Sequence, residues 1–178
     1  DFNEAIRLDP KKVDAYKNRG ESWIYKEDYE RAIADLNEAI RLDPKDVSAH
    51  NSRGIASAKK GDYDRAIADF NEAIRLDPNN VDAYNNRGAS WTYKEDYDRA
   101  FADLNEAVRL DPKDVSAHNS RGIASAKKGD YDRAIADFNE AIRLDPKKVD
   151  AYKYRGLTYE ARNNFGLALT DFRSVVRL

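Results

Sequence analysis

Apolar residues recur along this chain at the spacing of helical faces, in two sets that alternate within every 34 residues. Tyr16, Gly20 and Trp23 fall at i, i+4 and i+7, which places them on one face of a first helix. The stretch 32–40 repeats the spacing, with Ala, Leu, Ala and Ile on one face of a second helix. The pattern therefore predicts an all-α chain built from antiparallel pairs of amphipathic helices.

Capping residues and prolines mark where these helices begin and end. Asp28 precedes the second helix, where its carboxylate can accept hydrogen bonds from the unpaired amides of the first turn. Pro44 ends that helix, because proline has no amide hydrogen and its ring clashes with the preceding turn. Gly61 and Gly129 occupy the turn between a first and a second helix, where a positive φ is expected.

The same unit is repeated along the chain, since the segment 1–10 recurs with small changes from residues 35, 69, 103 and 137. A period of 68 residues overlies it, because 47–80 and 115–148 differ only at their last two positions. Residues 1–17 also match 137–153, so we expect a fragment of a longer array, with any targeting segment upstream. We predict one array with these parts: a half repeat at 1–12 (second helix only), full repeats at 13–46, 47–80, 81–114 and 115–148, and a divergent last repeat at 149–178.

Glycine and arginine stand side by side inside every predicted first helix. Glycine in a helix interior costs about 1 kcal/mol relative to alanine, so Gly20 and its equivalents indicate close helix packing, with Ala32 as the expected partner. Arg19 and its equivalents lie on the same side of the first helix. Each is matched by one aspartate in the second helix of its repeat, which is Asp35 in the first full repeat. We interpret these as Arg–Asp pairs that join the two helices, with anion capture by the arginines as the alternative.

Composition excludes several classes of partner. The net charge is -2, without the basic excess typical of proteins that bind nucleic acid or anionic membranes. No apolar run approaches the length of a membrane span, and the absence of cysteine leaves the redox compartment open. We therefore expect neither nucleic acid nor membrane as partner. The compartment stays unknown, with the cytoplasm slightly favoured.

No constellation of residues indicates catalysis. His50 and His118 occupy the place that tyrosine holds in the other repeats, and neither has neighbouring ligands at metal spacing, so both are interpreted as packing residues. Lys59-Lys60-Gly61 lacks the spacing of a phosphate loop. We predict a protein that is not an enzyme and that needs no cofactor or metal.

The order aromatic, Gly, aromatic, Tyr, Ala, Phe, Ala and Pro over 34 residues resembles the tetratricopeptide repeat along the whole chain. One departure is the arginine before each glycine, where the family usually has leucine. The sequence motifs Asn-Arg-Gly and Ala-Ile-Ala-Asp-Phe are typical of bacterial members. The resemblance implies a right-handed superhelical solenoid, whose concave groove is lined by the first helices and binds a protein or peptide partner.

Asparagines and tyrosines dominate the groove that the resemblance implies. Side-chain amides can hold the backbone of an extended peptide without reading its sequence, and tyrosines offer apolar platforms. Of the residues that a carboxylate clamp needs, only Lys17 fits. The alternative is that the asparagines are simply solvated helix surface. The peptide-binding residues that we expect are Asn18, Tyr25, Asn51, Lys59, Asn85, Asn86, Tyr93, Asn119 and Lys127.

The leading interpretation is a non-enzymatic protein–protein interaction scaffold that binds a peptide segment in its concave groove, with two similar sub-sites given by the 68-residue period. One alternative is the interaction arm of a larger enzyme. Another is end-to-end self-association, because 1–17 repeats 137–153 and apolar residues at both ends lack a covering helix. These residues are Phe2, Ile6, Leu8, Leu169, Phe172, Val175 and Val176.

Overall fold

The computed structural model describes residues 2–178, and this part of the chain contains eleven α-helices and no strand. Successive helices pack as antiparallel pairs, as predicted. The helices are α1 (Phe2–Leu8), α2 (Val13–Tyr25), α3 (Tyr29–Leu42), α4 (Val47–Lys60), α5 (Tyr63–Leu76), α6 (Val81–Tyr93), α7 (Tyr97–Leu110), α8 (Val115–Lys128), α9 (Tyr131–Leu144), α10 (Val149–Ala161) and α11 (Phe165–Arg177).

The chain forms two compact units, unit 1 (Asp1–Ser90) and unit 2 (Trp91–Leu178). In unit 1, α2 pairs with α3 and α4 pairs with α5. In unit 2, α8 pairs with α9 and α10 pairs with α11. Each pair therefore consists of a first helix and a second helix from one 34-residue repeat.

The predicted helix starts and stops are confirmed. The Asp28 carboxylate accepts a hydrogen bond from the Arg31 amide and caps α3, and Asp62, Asp96 and Asp130 do the same for α5, α7 and α9. Asp46 caps α4 by accepting from the Ala49 amide. The second helices end at Leu42, Leu76, Leu110 and Leu144, immediately before each Asp-Pro step.

The turn inside each pair has the same backbone geometry in all five repeats. Gly61 and Gly129 have φ of 89° and 88°, which confirms the predicted left-handed turn. Glu27, Glu95 and Asn163 adopt φ of 60° to 61° at the same register, although a side chain there costs about 1–2 kcal/mol. The packing of the two helices therefore imposes this turn, whichever residue occupies it.

The core of each pair is made of alanines around one large residue of the second helix. Leu36 and Phe70 in unit 1 and Leu104 and Phe138 in unit 2 are fully buried. The predicted close approach at the helix glycines is confirmed. A Cβ built on Gly20 would lie 3.3 Å from the backbone oxygen of Ala32, the expected partner, and 2.8 Å from Cγ of Leu36, so the large side chain needs the space even more than the alanine does.

The Arg–Asp interpretation is confirmed at four of the five predicted places. The guanidinium and carboxylate groups lie 2.5 to 2.7 Å apart in Arg19–Asp35, Arg53–Asp69, Arg121–Asp137 and Arg155–Asp171. Arg87 and Asp103 belong to different units, and their pairing stays a prediction. The aspartates are almost completely buried, so the arginines serve the packing of the pairs and are not free for a ligand.

An asparagine of the preceding second helix completes each arginine's hydrogen bonding. Arg53 donates to Oδ1 of Asn37 at 2.8 Å, and Arg65 donates to the same oxygen at 3.1 Å. Arg121 and Arg133 share Asn105 in the same way in unit 2. This asparagine was not among the predicted residues, although its recurrence every 34 residues is a signal for it.

Candidate functional site

The first helices of neighbouring pairs lie side by side, α2 against α4 in unit 1 and α8 against α10 in unit 2. We call the predicted peptide-binding residues of these helices, together with Lys153 and Tyr154, the first-helix face of each unit. All nine predicted peptide-binding residues lie on first helices. The face of unit 1 carries Asn18, Tyr25, Asn51, Lys59, Asn85 and Asn86, and that of unit 2 carries Tyr93, Asn119, Lys127, Lys153 and Tyr154.

Amides dominate the first-helix face of unit 1, but only some of them meet. Nδ2 of Asn86 donates to Oδ1 of Asn51 across 3.4 Å, and both residues are half-buried. Oδ1 of Asn85 is buried and has no hydrogen-bond partner among residues 2–178. Asn18 is exposed, as is Lys59. Tyr25 is 92% exposed, so its ring makes little contact with other side chains.

The face of unit 2 is more enclosed. Asn119 is only 7% exposed, and its Oδ1 also lacks a hydrogen-bond partner within the described part of the chain. The Lys127 ammonium lies 5.4 Å from the centroid of the Tyr93 ring, a cation–π contact. Tyr154 stacks on Phe138 with centroids 6.4 Å apart. Burial raises the pKa of Tyr154, with further contributions from Tyr93 and Asp150.

Lys17, the one residue that fitted a carboxylate clamp, is already engaged. Its ammonium lies 2.9 Å from the Asp46 carboxylate and 3.3 Å from that of Asp14. Burial lowers the pKa of Lys17, but the hydrogen bonds and charges of Asp46 and Asp14 outweigh it and leave the pKa raised. Lys17 is therefore not available to bind a peptide carboxylate as a carboxylate clamp would require.

The histidines are packing residues, as predicted. His50 and His118 are buried, and Nε2 of each lies 3.1 Å from a proline carbonyl oxygen, that of Pro44 or Pro112. Within residues 2–178, no group of side chains has the composition and spacing of a metal site. None of the helices in this part of the chain combines the length and the apolar character of a membrane-spanning helix.

Two open cavities lie at the ends of the described chain. One, of about 310 Å³, is lined by residues of α1 and α2 together with Lys26, and the other, of about 590 Å³, by α11. Phe2, Leu8, Leu169 and Val176 are exposed on these terminal helices, as the pattern predicted, whereas Ile6, Phe172 and Val175 are half-buried. Large apolar side chains are thus accessible on α1 and α11.

Repeated helix pairs, in which a glycine of the first helix packs against a large apolar side chain of the second, define a tetratricopeptide repeat fold. A family model described as tetratricopeptide repeat matches residues 24–81, 92–148 and 120–178. The chain therefore belongs to the tetratricopeptide repeat family. Proteins of this family are generally non-catalytic interaction modules, and the fold agrees with a protein–protein interaction scaffold.

Solved structures support the same assignment. MamA (41-end) from Desulfovibrio magneticus RS-1 is 26% identical, with a TM-score of 0.74 over 93% of this chain and 94% of that one. YrrB, described as a TPR protein with an unusual peptide-binding site, is 27% identical, with a TM-score of 0.67 over 99% and 91%. A tetratricopeptide repeat protein from Parabacteroides merdae ATCC 43184, 21% identical, shares the fold with a TM-score of 0.83 over 99% and 70%. Among curated proteins, none matches this sequence.

Proposed function

We propose that this chain is a scaffold that binds an extended peptide segment of a protein partner along its first-helix face. The observation that carries the proposal is the Asn119 side chain, 7% exposed, whose Oδ1 has no hydrogen-bond partner among residues 2–178. A buried acceptor left unpaired costs about 1–3 kcal/mol. If the Asn119 side chain turns toward the surface on binding, its Oδ1 accepts from a peptide backbone N–H and recovers that cost.

Unit 1 offers the same kind of acceptor. Oδ1 of Asn85 is buried and unpaired within the described residues, and the neighbouring Asn51–Asn86 hydrogen bond is long at 3.4 Å. A weak bond between two side-chain amides is readily exchanged for bonds to a peptide backbone. The structural neighbour YrrB, described as having a peptide-binding site, supports the same kind of ligand. A larger enzyme that carried this scaffold would use it as an interaction arm.

Asn119→Ala tests the proposal with a peptide selected against the wild-type chain from a random library. We expect the affinity of the variant for this peptide to fall about tenfold, a loss of about 1.4 kcal/mol of binding free energy. The variant should be at least as stable as wild type, because it removes a buried polar group that has no partner in the free protein. Isothermal titration calorimetry measures the binding, and thermal unfolding measures the stability.

The matched control removes an exposed pair on a second helix of the same unit. Arg143 and Glu140 of α9 lie 2.6 Å apart, on the other helix of the pair that contains α8. Changing both to alanine should leave peptide affinity unchanged. If that double variant loses binding while Asn119→Ala retains it, the second helices form the binding surface and the proposal is wrong.

End-to-end self-association is a second candidate, favoured by the exposed apolar side chains of α11. Leu169 is 50% exposed and Val176 is 89% exposed, beside the cavity of about 590 Å³. We expect the mass from light scattering to rise with concentration for the wild type and to stay monomeric for Leu169→Glu with Val176→Glu. A wild-type mass that stays monomeric up to millimolar concentration would contradict this candidate.

A further inference from the structure

One side of α11 keeps the apolar residues of a contact between repeats, but no helix covers them within the described chain. On α9, where α10 packs, the three apolar residues of this side are half-buried or fully buried: Ile135, Phe138 and Ile142. The same positions of α11 hold Leu169, Phe172 and Val176, of which Leu169 and Val176 are exposed. These three line the cavity of about 590 Å³. The cavity therefore lies where the first helix of a further repeat would pack.

Two substitutions make this side of α11 positively charged. The earlier second helices all have asparagine at the position of Arg173 and glutamate at the position of Ser174. In α9 that glutamate, Glu140, pairs with Arg143 at 2.6 Å, whereas Arg177, which corresponds to Arg143, follows a serine and lacks this partner. Arg173 and Arg177 both line the cavity. Two positive charges therefore border the apolar residues.

The side chains of Arg173 and Arg177 differ from the other arginines of unit 2. Neither guanidinium group has an ion-pair or hydrogen-bond partner among residues 2–178. Arg133 donates to Asn105. The remaining arginines of the unit lie within ion-pair distance of a carboxylate: Arg99, Arg109, Arg121, Arg143, Arg155 and Arg162. Only on this side of α11 are guanidinium groups of the described unit left for a carboxylate from elsewhere.

The asparagine that α11 lacks is the residue that receives the arginine of a following first helix. Oδ1 of Asn139 in α9 accepts from Nη1 of Arg155 in α10 at 2.5 Å, and Asn3 accepts from Arg19 at 2.8 Å in the same way. A first helix of this sequence that packed on α11 would bring its arginine against Arg173, and the two like charges would repel each other. Self-association through α11 would therefore need a register different from that of the array.

We propose that this side of α11 binds an amphipathic helix of a partner protein, which has a carboxylate where the first helices of this chain have arginine. We call it the α11 face, and it consists of Leu169, Phe172, Arg173, Val176 and Arg177. The apolar stripe of the partner helix covers the three apolar residues. Its aspartate or glutamate pairs with Arg173, and the same arginine repels helices with a basic residue there. The α11 face shares no residue with the first-helix face, so this inference goes beyond the proposed function.

A charge swap on the full chain tests the α11 face. The probes are two peptides with the sequence of α10, residues 149–161, held helical by a side-chain bridge, one unchanged and the other with Arg155→Glu. The wild-type chain should bind the glutamate peptide at least tenfold more tightly than the unchanged peptide. The Arg173→Asn chain should bind the unchanged peptide at least as tightly as the glutamate peptide, because asparagine accepts from the arginine as Asn139 does. Fluorescence anisotropy measures all four affinities.

Arg143→Ala is the matched control, since Arg143 corresponds to Arg177 but lies on α9 and is paired with Glu140. It should leave both affinities unchanged, whereas Leu169→Glu should abolish binding of the glutamate peptide. If the wild-type chain binds the two peptides equally, or if Arg173→Asn does not change the preference, the charge selectivity is wrong. Binding of neither peptide at millimolar concentration overturns the proposal. Self-association that Leu169→Glu abolishes would then assign the α11 face to a second copy of the chain.

Discussion

Replacing Asp69 by alanine is expected to lower the free energy of unfolding by about 3–5 kcal/mol, because it leaves the Arg53 guanidinium half-buried without its counter-charge. The two groups lie 2.5 Å apart, with side-chain exposures of 5% for Asp69 and 19% for Arg53. Both Nε and Nη2 of Arg53 donate to the carboxylate, so one substitution removes several charge-assisted hydrogen bonds. Urea unfolding followed by circular dichroism measures the change.

Glu72→Ala is the control for this experiment. Glu72 pairs with Arg75 at 2.6 Å on the same helix, α5, but that pair is exposed to solvent. Exposed ion pairs one helical turn apart contribute little to stability, so the urea midpoint should hardly move. If Asp69→Ala unfolds at the same urea concentration as Glu72→Ala, the Arg–Asp pairs do not stabilise the fold as inferred.

Gly54→Ala is expected to lower the free energy of unfolding by about 1–3 kcal/mol, through overpacking against Phe70. The added Cβ would lie 2.6 Å from Cε1 and 2.9 Å from both Cδ1 and Cζ of that ring, which is fully buried. The ring or the helices must move apart. This clash opposes and exceeds the gain of about 1 kcal/mol that alanine brings to an ordinary helix position.

The chain provides a control position for the Gly54→Ala experiment. Gly166 lies in α11, and a Cβ there would meet nothing within 4 Å. Gly166→Ala should therefore raise the melting temperature, while Gly54→Ala lowers it. Equal shifts of the same sign would show that the contact with Phe70 does not decide the effect.

Much of the fold could be predicted because local signals in each repeat mark where its helices begin and end. Apolar spacing, a capping aspartate and an Asp-Pro stop act within one or two helical turns. The partner of Gly54 lies 16 residues away on another helix, and only the relative position of the two helices shows that it is Phe70. The left-handed turn at Glu27 has the same origin, since nothing local favours a positive φ there.

The candidate site was predictable in its residue types and not in their surroundings. Asn51 and Asn119 occupy the same position of the repeat, yet Asn51 is half-buried and accepts from Asn86, whereas Asn119 is buried with an unpaired oxygen. Tyr25 and Tyr93 occupy the same register, but only Tyr93 has a lysine over its ring. These differences arise from neighbours on adjacent helices, so they cannot be predicted from the spacing of residues along one helix.

The shared asparagines have a consequence for how each unit unfolds. In unit 1, Asn37 of α3 accepts from Arg53 of α4 and Arg65 of α5, so one side chain connects a helix pair to the whole of the next pair. Opening either pair breaks bonds that belong to both. Repeat arrays gain cooperativity from such nearest-neighbour terms. Amide hydrogens in α3 and α5 should therefore exchange through a common opening event, and the pairs of a unit should behave as one foldon rather than fraying helix by helix.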